Sequence, residues 1–596
     1  MSRRAILDWS DEGAPRSRLF DDVYFSAEGG LEESRAVFLV GCGLPEAWRG
    51  RRRFTVGELG FGTGLNILAL LDLWRRERPD GGRLNIFSIE AFPLSRGDAA
   101  RALAAWPALA DLAAPLIRRW PTAEGFHRID FPGLGASLDL AVMEAAEALE
   151  AWSGGADAWF LDGFSPARNP QMWRPEVLDL VAARSAPRAR AATFTVAGAV
   201  RRGLEAAGFT IARRPGFGRK AQRLEASLGE PGPGPGPDRA APRVAIVGAG
   251  IAGGALARAF RAEGCAPLVI SGSEVAASGN PAALVTPRFD AGGGVMARLH
   301  AQAYARAVAL YEDEAPEAVI AQGALQLETA ERDGRRFDVV AASALFDSGA
   351  VARLDAAAAG EWLGEARGTG GLWIREGLTV EPPTILAAWL KVARRLHAEV
   401  ASLRRTAQGW EVLDANGRTL ASADIVCLAG GFGSKALWPQ LPLEPVRGQA
   451  SFLDWSERPQ AAAWGGYVIP TRTGLLFGAT HDRGREDVDV LAEEHARNLR
   501  TLAGARPALA EALSHRPLEG RAALRASTPD RAPLAARLEP GLMVLTGLGG
   551  RGFTLAPLLA EHLVAEALGS PSPLPGALAA AVGHRMFRGR SAHTRD

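Results

Sequence analysis

Three carboxylates and several groups of glycine in this sequence could do chemistry together. In GELGFGTGLN, Glu58 precedes Gly60, Gly62 and Gly64, and Asn66 follows. Glycines so spaced let the backbone approach a ligand closely and take φ values that other residues avoid. Glu90 closes the apolar run NIFSIE, where a strand-end acid can accept hydrogen bonds from ribose hydroxyls. Asp162 closes another apolar run, AWFLD, ahead of the loop GFSPARNP. A carboxylate there can orient an amine and take up its proton, freeing the lone pair for attack. Glu58 bears on which ligand the glycines hold. A pyrophosphate wants N–H groups and a positive helix end, and an acid repels it. S-adenosylmethionine carries a sulfonium and an α-amino group, both cationic, and suits an acid beside it. Taken alone, a tight strand-to-helix turn and a turn-forming Asp162 explain the same residues.

A second group begins at RVAIVGAGIAGGALARAF, with Gly248, Gly250 and Gly253 in the order G-x-G-x-x-G between an apolar strand and a helix. That context points to a dinucleotide. The ribose-binding acid is less clean: Ser271 stands near its usual place and Glu274 follows, and Glu274 is the expected contact. Two further stretches favour FAD over NAD. AASGNPAALVTP supplies Ser278, Gly279 and Asn280. LTGLGGRGFTLAPLL places Gly547, Gly549, Gly550 and Gly552 ahead of a helix expected near Thr554. A helix N-terminus there can stabilise negative charge on a reduced flavin ring.

Each group must sit on a strand that feeds a helix. In the first third of the chain, the strand-like runs RRFTVGEL, RLNIFSIEAF and ADAWFLDGF alternate with helical segments, which predicts a parallel, doubly wound α/β sheet. The stretch LGEPGPGPGPDRAAP can propagate neither helix nor central strand and reads as a linker. The expected organisation is residues 1–228, a linker 229–242, and residues 243–596. The last part reads as a Rossmann domain interrupted by an inserted α+β domain.

Composition excludes several classes. The net charge of +1 over 596 residues gives no global signal for a polyanion or a membrane surface. Three separated cysteines form neither a CxxC pair nor a disulfide framework, which fits a reducing compartment. The nine histidines show no metal-ligand spacing, and no apolar run is long enough to span a bilayer. The expectation is a cytoplasmic monomer without metal. One local bias stands out: residues 184–220 hold nine basic residues against one acid, Glu205. Arg201, Arg202, Arg213, Arg214, Arg219 and Lys220 within it are candidates for phosphate contacts, although ordinary solvated arginines read the same way.

Four stretches in order, GELGFGTGLN, SIEAFPL, WFLDGFSPARNPQMW and GFGRKAQRL, resemble the methyltransferase half of a bacterial family of bifunctional tRNA-modifying enzymes that act on the wobble uridine. The resemblance implies a class I, Rossmann-like methyltransferase domain over most of residues 1–228. It makes Glu58, Gly60, Gly62, Gly64, Asn66 and Glu90 contacts of S-adenosylmethionine and puts Asp162 at the reacting amine. Where the family shows Gly-Asp on the adenine side, this chain has Met143-Glu144, so Glu144 is the expected contact in a longer form.

The second half is similar to FAD-dependent amine oxidases of the glycine- and D-amino-acid-oxidase type, through ASGN, PVRGQ, LRASTPDRAP and the C-terminal glycine loop. This implies FAD contacts at Gly248, Gly250, Gly253, Glu274, Ser278, Gly279, Asn280, Gly549, Gly550 and Gly552. Arg525 matches the position that holds a substrate carboxylate, unless it is a structural arginine tied to an acid such as Asp530. The family's two steps interlock. Oxidation removes a carboxymethyl group from an aminomethyl side chain, and the methyltransferase then methylates the freed amine. The competing reading is a small-molecule amino-acid oxidase fused to an unrelated methyltransferase, with no RNA.

Overall fold

In a computed structural model of the chain, residues 4–11, 13–25, 29–218, 221–229, 241–272 and 276–583 are described. Arg219, Lys220, Glu274 and residues 230–240 of the Gly/Pro stretch lie outside them. The chain divides into two compact units. The first runs to Ala240 and takes in Ser570–Gly576; the second is Ala241–Gly569 with the residues from Ala577 on.

The first unit is built on an eight-stranded sheet. Its strand order is Phe209–Pro215, Gln222–Leu228, Ser185–Thr193, Ala156–Leu161, Arg53–Leu59, Arg83–Ile89, Ala136–Val142, Gly125–Phe131. The five strands from Ser185–Thr193 to Ala136–Val142 are parallel. Their near-continuous burial suits strands covered on both faces. One face packs around Leu68, Leu71, Trp74 and Phe160; the other around Trp152, Trp159, Val177 and Leu204.

The expected parallel, doubly wound sheet is present, and antiparallel strands extend it at both edges. Gly125–Phe131 pairs antiparallel with Ala136–Val142, and Gln222–Leu228 runs antiparallel to both of its neighbours. Gly125–Phe131 with Ala136–Val142, and Phe209–Pro215 with Gln222–Leu228, are successive strands joined by short connections, which permit a hairpin but no crossover. A small antiparallel sheet of Leu7–Trp9, Pro15–Ser17 and Asp22–Val23 precedes this fold.

The second unit carries a six-stranded sheet ordered Arg394–His397, Leu268–Ser271, Val244–Val247, Ile425–Leu428, Leu542–Thr546, Leu534–Glu539, all parallel but the last. A ten-stranded sheet forms the inserted part. The helix Gly552–Leu568 starts two residues ahead of the expected Thr554 and is buried along most of its length. Glu561 on it pairs with Arg258 of Ile251–Ala262 and with Arg306 of Val295–Glu314, all three side chains buried. A buried pair of this kind fixes which helices meet, because a lost partner leaves a charge stranded. Among the described residues no single helix is long and apolar enough to cross a membrane.

Candidate active sites

The first site lies at the carboxyl ends of the parallel strands. Arg53–Leu59 ends at Gly60, whose φ is 77° and where an added Cβ would stand 2.9 Å from the Gly163 Cα. The two strand-end turns, Gly60–Gly64 and Asp162–Gly163, can abut only because Gly60 has no side chain. Gly64, also left-handed, caps the helix Leu65–Glu77, so Asn66 falls in its first turn. From there its amide donates to Asp162 Oδ2 at 2.7 Å, while Asn66 Oδ1 accepts from Ser34 Oγ at 2.6 Å. The Gly163 N–H reaches Asp162 Oδ1 at 2.8 Å. Asp162 is thereby fixed in orientation by groups that donate to its charged form.

Glu90 receives the N–H groups of Gly62 and Phe92 at 2.8 and 2.9 Å. Glu58 is fully buried and accepts from Ser88 Oγ at 2.5 Å. Burial raises the carboxyl pKa of both; at Glu58 the nearby Asp162 and Glu90 add to it. Glu90, Glu144, Asp162, Asn66, Gly60 and Gly62 all border one cavity of about 730 Å³. An acid-walled cavity of this size suits a large cationic ligand and no pyrophosphate.

The same cavity is closed by residues that sequence reasoning missed. Phe20 stacks on Phe164 with ring centroids 4.8 Å apart, and Tyr24 meets Phe164 edge-on at 5.0 Å. Asp22 Oδ2 accepts the Ser165 N–H at 3.0 Å, fastening the N-terminal sheet to the loop after Asp162. All five border the cavity. Nothing in the spacing of Phe20, Asp22 and Tyr24 sets them apart from core aromatics and turn acids.

The basic stretch divides. Arg201 pairs with Glu205 at 2.9 Å and Arg214 with Glu225 at 3.4 Å. Arg202 and Arg213 are exposed and have no ion-pair partner among the described residues.

The second site opens on the six-stranded sheet. A Cβ at Gly248, φ 114°, would stand 2.5 Å from the Ala429 carbonyl oxygen, and one at Gly253 would lie 1.8 Å from the Gly248 oxygen. These glycines bring strand, turn and helix into contact. Gly250 caps the helix Ile251–Ala262, and Ser278 Oγ accepts the Ile251 N–H at 3.0 Å. Arg521, a further residue unforeseen in the sequence, shapes that loop. It donates to Asn280 Oδ1 at 3.0 Å and to the Ala276 carbonyl, and it covers Gly279.

The C-terminal glycine loop comes to the same place. A Cβ on Gly552 would be 2.9 Å from Ile251 Cγ2, so two helix N-termini meet there. The Gly549 N–H donates to Ala526 at 2.9 Å, next to Arg525. A Cβ at Gly549 or Gly550 would meet nothing within 4 Å, which leaves room for a flat ring. Arg551 beside them was also missed. It donates to the Thr286 carbonyl at 3.0 Å, and burial, with Arg288 nearby, pulls its guanidinium down to about 10. Burial and these two arginines push His300 down to about 3, so it is neutral at pH 7. The setting favours a negative ring system, and the residues present fit FAD.

Arg525 lies across Gly448, where a Cβ would be 2.5 Å from its guanidinium, and donates to the Thr480 carbonyl at 3.4 Å. Asp530 is taken by Thr528 Oγ1 and the Ala532 N–H instead, and no carboxylate pairs with Arg525 among the described residues.

The fold and sites define an α/β chain made of an S-adenosylmethionine-dependent methyltransferase followed by an FAD-dependent oxidoreductase. A family model of S-adenosyl-L-methionine-dependent methyltransferases matches residues 107–229, including Glu144 and Asp162 but not the Gly60 turn. A model of FAD dependent oxidoreductases matches residues 243–566. Three relatives carry the name tRNA 5-methylaminomethyl-2-thiouridine biosynthesis bifunctional protein MnmC. That of Caulobacter sp. (strain K31) is 57% identical and covers 98% of each chain. That of Caulobacter vibrioides (strain ATCC 19089 / CIP 103742 / CB 15) is 59% identical, covering 96% of this chain and 95% of its own. That of Maricaulis maris (strain MCS10) is 42% identical, covering 95% and 93%. The chain belongs to the MnmC family.

Proposed function

We propose that the chain performs two consecutive reactions on the wobble uridine of tRNA, oxidative removal of a carboxymethyl group from the aminomethyl side chain and then N-methylation of the amine released. The carrying observation is complementarity: each unit offers the group its own step needs. The first holds an oriented carboxylate, Asp162, in a cavity fitted to a cationic methyl donor. The second holds a guanidinium, Arg525, with no carboxylate partner among the described residues.

FAD, held by the Gly248–Gly253 turn and the Gly549–Gly552 loop, would supply the two-electron oxidation of the carbon between nitrogen and carboxylate. Arg525 pairs with that carboxylate in the fork geometry that suits guanidinium and so turns the carbon toward the ring. Water adds to the resulting C=N bond, and the two-carbon aldehyde acid leaves a primary amine on the uridine. S-adenosylmethionine, when bound, supplies the methyl group. Asp162, held by Asn66 and the Gly163 N–H, accepts the amine's hydrogen bond and takes its proton as the N–C bond forms. Gly60, Gly62 and Glu90 hold the donor. On the RNA side, the exposed Arg202 and Arg213 lead the basic stretch, with Arg201 and Arg214 beside them in the sequence; Arg219 and Lys220 remain candidates by sequence alone.

The alternative of an oxidase fused to an unrelated methyltransferase is not favoured, because the relatives match both halves together in one chain. We read the protein as a metal-independent monomer of the cytoplasm, where tRNA is modified. The test supplies carboxymethylaminomethyl tRNA with and without S-adenosylmethionine and analyses the nucleosides. Aminomethyl uridine is expected without it and methylaminomethyl uridine with it. Turnover of free N-substituted glycines with the tRNA untouched would overturn the reading.

A further inference from the structure

The strand Glu444–Asp454 sorts the charges of the oxidase site onto its two faces. On one side it pairs with Asp482–Arg483 and on the other with Glu519–Ser527. Val446 stands opposite both Arg483 and Arg525, and directly opposed residues share a face. Arg483 and Arg525 therefore flank Val446 on one face, about 10 Å apart at two strand spacings. Gly448, on the same face, leaves the space over which the Arg525 guanidinium lies.

The opposite face carries Arg447, and its charges are matched. Arg447 pairs with Asp487 and Glu494, Arg485 with Asp487, and Arg497 with Asp482. On the Arg525 face the balance fails. Arg531 lies in the turn that directly follows the Arg525 strand, Glu519–Ser527, its N–H on the Thr528 carbonyl at 3.0 Å and its φ left-handed; it is exposed and has no side-chain partner among the described residues. Among the described residues Arg483 pairs only with Glu444, at 3.9 Å, with both side chains close to half exposed. Partial burial of the His481 ring, and then the nearby charges of Arg525, Arg483 and Arg531, disfavour its protonation; Asp482 opposes them weakly.

A site that takes one nucleotide of a polymer must admit the phosphates on either side of it. Arg525 is already engaged in placing the carboxylate. We propose that Arg483 and Arg531, supported by His481, form a phosphate-binding rim through which the oxidase unit grips the RNA backbone beside the wobble nucleotide. The proposal rests on the tRNA reading above. It adds a second RNA-contacting surface to the basic stretch of the first unit.

The experiment follows oxidation of carboxymethylaminomethyl tRNA by the FAD-loaded full chain across a salt series. Variants are the double change Arg483→Gln, Arg531→Gln and, from the opposite face, Arg485→Gln. The double variant should keep its flavin and its kcat at saturating tRNA. Its KM should rise, and the dependence of log kcat/KM on log salt should become shallower by about 1.4, at about 0.7 per single-strand phosphate contact. Arg485→Gln should behave as wild type. An unchanged slope and KM in the double variant would sink the proposal, as would an equal change in Arg485→Gln. A wild-type enzyme that leaves tRNA unoxidised would instead remove the functional reading beneath it.

Discussion

Asp162 is gripped from two directions, by the Asn66 amide at 2.7 Å and the Gly163 N–H at 2.8 Å. Its value to an incoming amine lies in that orientation as much as in its charge. Asp162→Ala should abolish methylation and leave oxidation intact, so aminomethyl uridine accumulates in a nucleoside assay. Asn66→Ala should be milder. It leaves Asp162 and Ser34 short of a partner, which costs about 1–3 kcal/mol, or roughly 5- to 150-fold in methylation rate. S-adenosylmethionine binding, read by calorimetry, separates loss of orientation from loss of the donor. Arg525→Ala should retain flavin and methylate pre-formed aminomethyl tRNA normally, since that substrate has no carboxylate. Its oxidation rate should fall by about 30-fold to several thousand-fold, the equivalent of roughly 2–5 kcal/mol for a shielded charged partner. Equal loss in both reactions would mean a folding defect.

At the scale of elements, the glycines of the second site fall into two kinds. Gly253 is required by packing, since its Cβ would lie 1.8 Å from the Gly248 oxygen. Gly549 is free of contacts, with φ 55°. Gly253→Ala should therefore lower the apoprotein's melting temperature and yield colourless protein. Gly549→Ala should destabilise the apoprotein by only about 1–2 kcal/mol, the cost of a left-handed alanine. It should nonetheless weaken FAD, because the methyl group occupies the space left for the ring. Calorimetry of apoprotein alongside flavin absorbance distinguishes the two. Both turns were legible in the sequence, because a strand, spaced glycines and a helix occur together and each needs the others. Strand direction at the sheet edges was not legible, since hydrophobic periodicity is blind to it. The aromatic wall of Phe20, Tyr24 and Phe164 and the half-buried Arg551 were not legible either. Their chemistry arises from tertiary placement, and their local sequence resembles any loop.

For the whole molecule, the change from one unit to the next at Ala240–Ala241 coincides with the Gly/Pro stretch, a break that composition announces. The segment Ser570–Gly576 was announced by nothing: SPSPLPG reads as a connecting loop, yet it groups with the first unit, and Leu574 in it is fully buried. A fragment 1–240 should still methylate aminomethyl tRNA, but less stably than in the full chain. Burying one leucine contributes about 1.5–3 kcal/mol, and about 2–4 °C of melting temperature accompanies each kcal/mol in a domain of this size. Thermal scans of the fragment with and without a peptide spanning 568–578 would check this. No shift on adding the peptide would make the segment dispensable.

That segment also decides what a protease could do to the chain. A cut within 230–240 severs the peptide link between the units, but the second fragment still carries Ser570–Gly576. After such a cut the second fragment carries a stretch that belongs with the first unit. A second half that stops at Gly569 lacks those seven residues, so the place to divide the chain for expression is not the Gly/Pro stretch alone.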